Sequence, residues 1–263
     1  MSDFTGKDDY QKLFSPKAYL ESFFHLGAGS MGDEYLYFIL KQLVETFHSG
    51  KVKGDTLLDI GTGPSIYHLL SACEAFNNII VSDFTDKNRE EFNVWLKNEP
   101  GAFDWSSVVK HVCQLEGDRV PCQEKEERLR KVIKQVLKCD VLKTNPIEPV
   151  TIPQVDCLLS CLCLEAACKD FESYVNALQN MTKLLKSGGY LVLTGVLENT
   201  HYMVGEVKFS DLLMNEAFLR ETITGAGCVI ENFQLCKKTG GSLEDSRDFA
   251  TYYFLIAQKG NNA

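Results

Sequence analysis

The chain has 263 residues, 44% of its side chains are apolar, and its formal net charge is −9. This length and apolar content can build one sizeable hydrophobic core, whereas the acidic charge argues against nucleic acid, which is bound by clustered lysines and arginines. No apolar run is long enough to span a membrane and the N-terminus is charged, so we expect neither a membrane protein nor a secreted one.

Ten cysteines could indicate disulfides or a metal site. Without a secretory signal, we expect them to be reduced thiols of a cytoplasmic protein. Four of them cluster in one apolar segment, but no Cys-x-x-Cys pair is present: Cys157, Cys161, Cys163 and Cys168. We therefore interpret these cysteines as small buried hydrophobes and predict no metal ion.

The first fifty residues are predicted to form a helical cap. Ser15 followed by Pro16 is typical of a helix start, and residues 33–47 form a longer amphipathic run. Tyr19, Phe23 and Phe24 recur at near-helical spacing. These aromatic residues could be core packing, or they could form a lid that closes over a ligand.

Residues 56–64 carry the strongest signal in the sequence. The apolar run 56–60 is followed by Gly61–Thr62–Gly63–Pro64. This order is typical of a strand, a tight turn and the start of a helix, predicted here over residues 64–74. It is the place where α/β folds bind nucleotide-like ligands, although a glycine turn alone is weak support.

A second strand strengthens this interpretation. Residues 78–83 form an apolar run that ends in Asp83, a carboxylate placed to hold the two hydroxyls of a ribose. Ile66 stands where the dinucleotide fingerprint needs a third glycine, and no phosphate-binding lysine follows the turn. The pattern therefore favours an adenosine ligand without a diphosphate, such as S-adenosyl-L-methionine, over NAD.

Strands and helices alternate over the rest of the chain. We predict helices at 86–97, 171–186 and 214–226, two helices within 104–137, and strands at 138–141, 155–160, 190–195, 228–236 and 250–258. Such alternation is typical of a mostly parallel sheet flanked by helices. A Gly/Ser-rich turn between the last two strands predicts a hairpin, which would place an antiparallel strand at or near one edge. We expect one domain over residues 1–263, with a helical cap at 1–50 and a Rossmann-like core at 51–263.

Longer strings of residues resemble one family, the small-molecule amine N-methyltransferases that act on nicotinamide, indolethylamine and phenylethanolamine. The matching strings are spread over nearly the whole chain. They include Asp-Ile-Gly-Thr-Gly-Pro-Ser-Ile-Tyr (59–67), Glu-Pro-Gly-Ala-Phe-Asp-Trp (99–105), Leu-Cys-Leu-Glu-Ala (162–166) and Tyr-Met-Val-Gly (202–205). The resemblance implies a class I methyltransferase fold, with a mostly parallel sheet of about seven strands of which one is antiparallel, and S-adenosyl-L-methionine as the cofactor.

The same resemblance implies which side chains surround the cofactor. Those on its methionyl side are Gly61, Thr62, Gly63, Cys161 and Tyr67, which bonds the carboxylate. Asp83 takes the ribose hydroxyls with Asn88 beside it, and Asp140 and Val141 flank the adenine. Tyr19 and Phe24 belong to the lid, Phe24 in place of a tyrosine. Without the resemblance, Asp140 is an ordinary carboxylate at a strand end.

The predicted acceptor site departs from the family pattern. Gly195 stands in place of an aspartate of the nicotinamide enzymes, and Asp211 in place of their serine. Glu165 matches the first amine-binding glutamate of the phenylethanolamine enzymes, but Asn199 stands at the second. The segment that begins at Tyr202 looks closest to the indolethylamine enzymes. We predict Gly195, Asn199, Tyr202 and Asp211 as substrate residues, with no single specificity inherited intact.

The predicted activity is S-adenosyl-L-methionine-dependent N-methylation of small amines or aza-heterocycles by a cytoplasmic monomer. A primary or secondary amine must first lose a proton, and Glu165 and Asp211 are the candidates to accept it, with Tyr19 closing the catalytic site. Either acid could instead be an ordinary solvated loop residue. The alternatives are a cofactor-binding protein with weak or lost catalysis, an enzyme for phenylethanolamine or thioether acceptors and, disfavoured by Ile66, a dehydrogenase.

Overall fold

The computed structural model describes residues 4–27, 29, 32–237 and 251–261. Its N-terminal part forms the predicted cap of three helices, α1 (Lys7–Leu13), α2 (Pro16–Phe23) and α3 (Asp33–His48). Ser15 caps α2 by accepting a hydrogen bond from the N–H of Ala18, and a proline fills the first helical position, where no donor is needed. The cap packs directly on the sheet through the buried face of α3, formed by Leu36, Ile39, Leu40, Leu43 and Phe47.

The core is a seven-stranded sheet. Its strands are β1 (Thr56–Ile60), β2 (Asn78–Asp83), β3 (Ile133–Lys138), β4 (Val155–Cys161), β5 (Leu185–Leu197), β8 (Cys228–Lys237) and β9 (Thr251–Lys259), while β6 (His201–Val204) and β7 (Val207–Ser210) form a separate hairpin. The strand order is β3-β2-β1-β4-β5-β9-β8. β9 runs antiparallel to both of its neighbours, and the other pairs are parallel.

The fold class predicted from the sequence is therefore confirmed, and its antiparallel strand lies next to one edge, as expected. The predicted Gly/Ser-rich turn between the last two strands falls within 238–250, outside the described residues. Because successive strand residues point to opposite faces, Leu57 joins one core cluster and Leu58 the other.

Helices cover both faces of the sheet. One face carries α3 together with α4 (Asp86–Leu96), α5 (Ser106–Leu115) and α6 (Cys122–Val132), and the other carries α7 (Leu164–Ala167), α8 (Phe171–Thr182) and α9 (Glu216–Gly225). None of the described helices combines the length and apolarity needed to cross a bilayer.

The helix predicted at 64–74 is not an α-helix. Two short 3-10 helices, Tyr67–Leu69 and Ala72–Glu74, take its place. Nearly every side chain of this segment is buried, so it lacks the solvent-facing side of an amphipathic helix. Its turns are closed by tight bonds instead, such as Leu69 N–H to Ile66 O at 3.0 Å.

The strand predicted at 138–141 is wrong except at Lys138: β3 spans Ile133–Lys138, and the preceding helix ends at Val132. Ile133, Val136 and Leu137 fall within the range 104–137 that was predicted to be helical, but they belong to β3, which pairs with β2. Pairing with the open edge of β2 overrides a local pattern that fits a helix equally well. Helix α8 likewise ends at Thr182 rather than 186, because the chain enters the long strand β5 at Leu185.

The β6–β7 hairpin was not predicted. Its strands are joined by the two residues Gly205 and Glu206, and Gly205 has a φ of +60°. A two-residue loop that begins with glycine is a known hairpin signal, so this element could have been found from the sequence.

Candidate active site

A cavity of about 400 Å³ lies above the carboxyl ends of β1, β2 and β4, the edge at which parallel α/β sheets bind ligands. Its base is formed by the loops that follow these strands, and its other walls by the cap and the β6–β7 hairpin. With the exception of Gly195, every site residue predicted from the sequence lines this cavity. The predicted cofactor residues and acceptor residues therefore share one space.

The turn after β1 is held in a conformation that requires glycine. The N–H groups of Gly61 and Thr62 both donate to the carbonyl oxygen of Ser82, at 2.9 Å. Gly61 has a φ of +78° and Gly63 of +61°, which side chains other than hydrogen strongly disfavour. A Cβ on Gly61 would also stand 2.3 Å from Cys163 Sγ. The backbone at the base of the cavity thus has no side chains at these two positions, so a ligand can approach it closely.

Asp83, the last residue of β2, is a buried carboxylate that binds the turn and also lines the cavity. Its Oδ2 accepts from the N–H of Gly63 at 2.8 Å, and its Oδ1 accepts from the N–H of Thr85 at 2.9 Å and from Asn88 Nδ2 at 3.0 Å. Burial raises the pKa of Asp83, and these donors oppose the rise. Asn88 Oδ1 is buried without a hydrogen-bond donor among the described residues.

Asp140 and Val141 lie beside this carboxylate, because the N–H of Cys139 donates to the carbonyl oxygen of Asp83 at 3.1 Å. Asp140 also forms an ion pair with Lys7 of α1. The Lys7 side chain is 43% exposed, so solvent screens much of this attraction. The pair nevertheless fixes where the start of the cap meets the cavity wall.

Aromatic side chains of the cap close another side of the cavity. The ring of Phe24 stacks on Tyr67 at a centroid distance of 5.2 Å, and the ring of Tyr19 contacts both Phe14 and Phe24 at 5.3 Å. Burial raises the pKa of Tyr19 and of Tyr67, so both hydroxyls keep their protons. Phe24 belongs to the hydrophobic core and lines the cavity at once, so core packing and a ligand-facing position are not exclusive.

Glu165 and Asp211 bring two buried acids into the same cavity. Glu165 is 2% exposed, and its Oε1 accepts from the N–H of Val196 at 3.1 Å. Leu212, the residue after Asp211, donates its N–H to the carbonyl oxygen of Glu165 at 2.8 Å, which joins the two segments. Asn199 Nδ2 donates to Asp211 Oδ2 at 2.6 Å.

The two acids hold protons at unusually high pH. Burial, and then the charge of Asp211, raise the pKa of Glu165 from 4.5 to about 8. Burial also raises the pKa of Asp211 from 3.8 to about 7, against the Asn199 donor. In the described parts of the chain, neither acid forms an ion pair with a lysine or arginine. Such a pair is suited to attract a cation or to accept a proton from one.

Gly195 lies in β5 behind Glu165 rather than in the cavity lining. A Cβ there would stand 2.4 Å from Glu165 Oε1 and 2.8 Å from the Tyr253 hydroxyl. A side chain at this position would therefore collide with Glu165 before it reached an acceptor. This placement argues against Gly195 as a direct contact of the acceptor, and it shows that the glycine makes room for the Glu165 carboxylate.

We accordingly expect Gly195→Asp to damage the site rather than to create a nicotinamide contact. Overpacking of a buried position costs about 1–3 kcal/mol, and the new carboxylate would repel Glu165. Thermal unfolding and kcat/KM for an amine and for nicotinamide measure the change. Gly225→Asp, where a Cβ meets no other atom, is the control. A higher kcat/KM for nicotinamide at unchanged Tm would contradict this account.

The structure adds cavity residues that the sequence interpretation did not identify. They include Lys7, Tyr10, Tyr35, His201 and Tyr252. Tyr35 falls on the buried face of α3, so packing alone accounts for its place in the pattern. Tyr252 comes from β9, nearly at the far end of the chain. Nothing local in the sequence distinguishes either residue from an ordinary core aromatic.

The cysteines are free thiols, and several are buried. Burial raises the pKa of Cys161, which lies within hydrogen-bond reach of Thr194 and Tyr67, so this thiol keeps its proton. Among the described residues, no three His, Cys, Asp or Glu side chains are grouped as a metal site would require.

Comparison with known proteins accounts for this arrangement. The sequence profile of the NNMT/PNMT/TEMT family matches residues 2–260. The nicotinamide N-methyltransferase of Sus scrofa is 50% identical over 242 residues, which cover 92% of this chain and 92% of that protein. The indolethylamine N-methyltransferase of Mus musculus is 44% identical over 264 residues, covering 99% and 98% of the two chains.

A solved structure shares the architecture. The magnesium protoporphyrin IX methyltransferase of Synechocystis PCC 6803 superposes with a TM-score of 0.58 over 96% of this chain and 94% of that one. At 12% identity, this likeness shows the fold alone. The family is shown by the sequence relatives and by the match over residues 2–260. The chain therefore belongs to the NNMT/PNMT/TEMT family of S-adenosyl-L-methionine-dependent methyltransferases.

Proposed function

We propose that this chain transfers a methyl group from S-adenosyl-L-methionine to the nitrogen of a small amine or aza-heterocycle, and that it prefers arylalkylamines to nicotinamide. The main support for the proposal is that the predicted cofactor residues and, except for Gly195, the predicted acceptor residues line a single cavity. One space is lined by the glycine turn with Asp83 and by the acid pair Glu165 and Asp211. Relatives named for nicotinamide and for indolethylamine support the class of acceptor.

The residues at the turn fit an adenosine cofactor. Asp83 Oδ2, which has one donor, and Asn88 Oδ1, which has none among the described residues, offer acceptors to two ribose hydroxyls. The cofactor supplies a methyl group activated by a positively charged sulfonium. By family resemblance and by their place in the lining, the remaining residues that we assign to it are Tyr19, Phe24, Gly61, Thr62, Gly63, Tyr67, Asp140, Val141 and Cys161.

The acid pair gives the acceptor side its chemistry. When ionised, Glu165 and Asp211 attract an ammonium group, and no lysine or arginine in the described residues competes for them. Proton transfer breaks one N–H bond of the ammonium and forms the O–H bond of a carboxyl, which frees the nitrogen lone pair for methylation. Asn199 fixes the Asp211 carboxylate through its amide. Tyr19 and Tyr202 line the cavity and exclude water from the acceptor.

Nicotinamide gains less from this arrangement. Its ring nitrogen is uncharged and already has a free lone pair, so a proton acceptor does not help it. Its carboxamide N–H₂ is also uncharged, so the ionised acid pair attracts it less than it attracts an ammonium group. A hydrogen bond to a charged group contributes about 1.5–3 kcal/mol, and an ammonium gains it from the acid pair whereas the ring nitrogen of nicotinamide does not.

The departures from the family pattern at Gly195 and Phe24 would be the basis for the alternative of a cofactor-binding protein with weak or lost catalysis. Gly195 lies outside the cavity lining, and Phe24 stacks on Tyr67, so neither departure removes a member of the acid pair. No observation favours this alternative over the enzyme.

We further propose that residues 1–263 form a single domain that acts as a cytoplasmic monomer. Leu36 of the cap and Leu57 of β1 belong to the same core cluster, which supports one domain. All residues that we assign to the cofactor and the acceptor belong to this chain, so the proposed activity does not require a second copy. The free cysteines suit a reducing compartment.

A panel assay tests the proposed function. Methyl transfer from labelled S-adenosyl-L-methionine is measured with tryptamine, phenylethanolamine, quinoline, nicotinamide and a thioether. We expect kcat/KM for tryptamine to exceed that for nicotinamide by roughly ten- to a hundredfold, the equivalent of one hydrogen bond to a charged group. A preference for nicotinamide that survives Asp211→Ala would contradict the acceptor assignment. Cofactor binding without transfer to any acceptor would favour the non-catalytic alternative.

A further inference from the structure

Three hydroxyl groups from distant parts of the chain meet beside the cavity. The Tyr35 hydroxyl of α3 lies 2.8 Å from the Tyr67 hydroxyl and 2.6 Å from Thr194 Oγ1 of β5. Tyr35 and Thr194 are 4% and 2% exposed, so this contact is buried. Tyr35 and Tyr67 both line the cavity.

Tyr67 has few other polar neighbours. Phe24 covers its ring and has no hydroxyl to offer. The Cys161 thiol is within reach, but thiols are weak hydrogen-bond partners. Tyr35 is therefore the strongest hydrogen-bond partner of the Tyr67 hydroxyl among the described residues.

The number of protons restricts how this chain of hydroxyls can be arranged. Tyr35 has one hydroxyl hydrogen and two oxygen neighbours, so it donates to one and accepts from the other. If Thr194 donates to Tyr35 and Tyr35 donates to Tyr67, the hydrogen of Tyr67 is free to point into the cavity. In the reverse arrangement, the Tyr67 hydroxyl donates its hydrogen to Tyr35 and cannot donate it into the cavity. An anion next to Tyr67 stabilises the first arrangement, in which the hydrogen bonds also polarise one another.

We propose that Tyr35 is a positioning residue for the cofactor carboxylate: by donating to Tyr67, it turns the Tyr67 hydroxyl into a donor aimed at that anion. This inference rests on the proposed function and on the family resemblance, which implies that Tyr67 bonds the methionyl carboxylate. Tyr35 does not touch the reacting atoms. It acts on the cofactor through Tyr67, and Thr194 completes the chain from the other end.

The test compares a ligand that has the carboxylate with one that lacks it. Tyr35→Phe keeps the ring and its contacts with Tyr67 and Tyr252 but removes the hydroxyl. Calorimetric Kd values are measured for S-adenosylhomocysteine and for 5′-methylthioadenosine, which has no amino-acid part. We expect Tyr35→Phe to weaken S-adenosylhomocysteine by about 3- to 10-fold and methylthioadenosine by less than about twofold.

Further variants separate positioning from packing. Thr194→Val should weaken S-adenosylhomocysteine in the same sense, because it breaks the chain from the other end without touching Tyr67. Tyr67→Phe should weaken it more, and adding Tyr35→Phe to Tyr67→Phe should have no further effect, since Tyr35 acts only through Tyr67. Tyr37→Phe, the same change on an exposed residue of α3, is the matched control.

Equal weakening of both ligands by Tyr35→Phe would overturn the inference and leave Tyr35 a packing residue. No effect on either ligand, or additive effects of Tyr35→Phe and Tyr67→Phe, would overturn it as well. If the unaltered protein binds neither ligand, the proposed function itself fails, and the inference fails with it. The wild-type measurement thus separates the two failures.

Discussion

Replacing Asp83 with alanine should weaken binding of S-adenosyl-L-methionine and S-adenosylhomocysteine by about 1.5–3 kcal/mol, roughly ten- to a hundredfold. Asp83 is 6% exposed, and its Oδ2 accepts a single hydrogen bond, from the turn. A ribose hydroxyl that loses this acceptor loses a charge-assisted hydrogen bond in a buried site. Titration calorimetry measures the effect on both ligands, and NAD is expected to bind to neither protein.

Glu90→Ala is the matched control, because it removes one negative charge from an exposed residue of α4, the helix that carries Asn88. Asp83 also accepts from the N–H of Gly63, so thermal unfolding of the ligand-free variant shows how much of the loss comes from the turn. If Asp83→Ala and Glu90→Ala bind the cofactor with the same Kd, Asp83 does not bind the ribose. Tight binding of NAD to the unaltered protein would contradict the assignment of the whole cofactor region.

The second large effect is expected at the acid pair. Glu165→Gln should lower kcat/KM for tryptamine by about a hundredfold or more, the usual contribution of a general base, and should change that for quinoline far less. Quinoline has no proton to lose at its ring nitrogen. The glutamine keeps the acceptor for the Val196 N–H, so the backbone contact of this side chain survives. Equal losses with both acceptors would mean that Glu165 shapes the pocket and does not accept the proton.

The raised pKa values of the two acids also predict the direction in which kcat/KM changes with pH. Since the pKa of Glu165 is raised to about 8 and that of Asp211 to about 7, kcat/KM for an amine should rise with pH through this range as the pair becomes ionised. Asp211→Asn removes a negative charge that raises the pKa of Glu165, so the rising limb should move to lower pH. If the rising part of the pH profile of Asp211→Asn stays in place or moves to higher pH, the two acids are not coupled in this way.

The same shifts predict how the ligand-free protein responds to pH. Both acids bind protons more tightly in the folded state than at their ordinary pKa values of 4.5 and 3.8. The folded state therefore holds more protons than the unfolded state between those values and about 7 to 8, and this pair lowers stability as pH rises through that window. The slope of Tm against pH should be shallower in Asp211→Asn.

Local patterns were sufficient where one segment decides its own structure. The strand at 56–60, the glycine turn after it and the strand that ends in Asp83 were predicted from apolar runs and from residues with restricted backbone choices. The helix start at Pro16 was predicted for the same reason, since a cap is made by residues next to each other in the chain. The strings shared with the amine N-methyltransferases then indicated the family.

Local patterns failed where a neighbour in space decides. Ile133, Val136 and Leu137 fit one face of a helix, yet they form a strand because β2 offers them an open edge. The segment 64–74 begins with a proline that suits a helix start, yet it forms two short 3-10 helices instead of an α-helix. The sequence of one segment does not show that an unpaired strand edge will lie beside it in the folded protein.

The site divides in the same way. Asp83, Glu165 and Asp211 were predicted from the sequence, Asp83 because it follows an apolar run and the other two from the family resemblance, and the structure places all three in one cavity. Only the tertiary structure put Gly195 behind Glu165 and joined Tyr35 to Thr194, which lies 159 residues further along the chain. Sequence determines which side chains are present and which face of an element they share. Which hydroxyl meets which, and which glycine leaves room for a carboxylate, depends on how the elements pack.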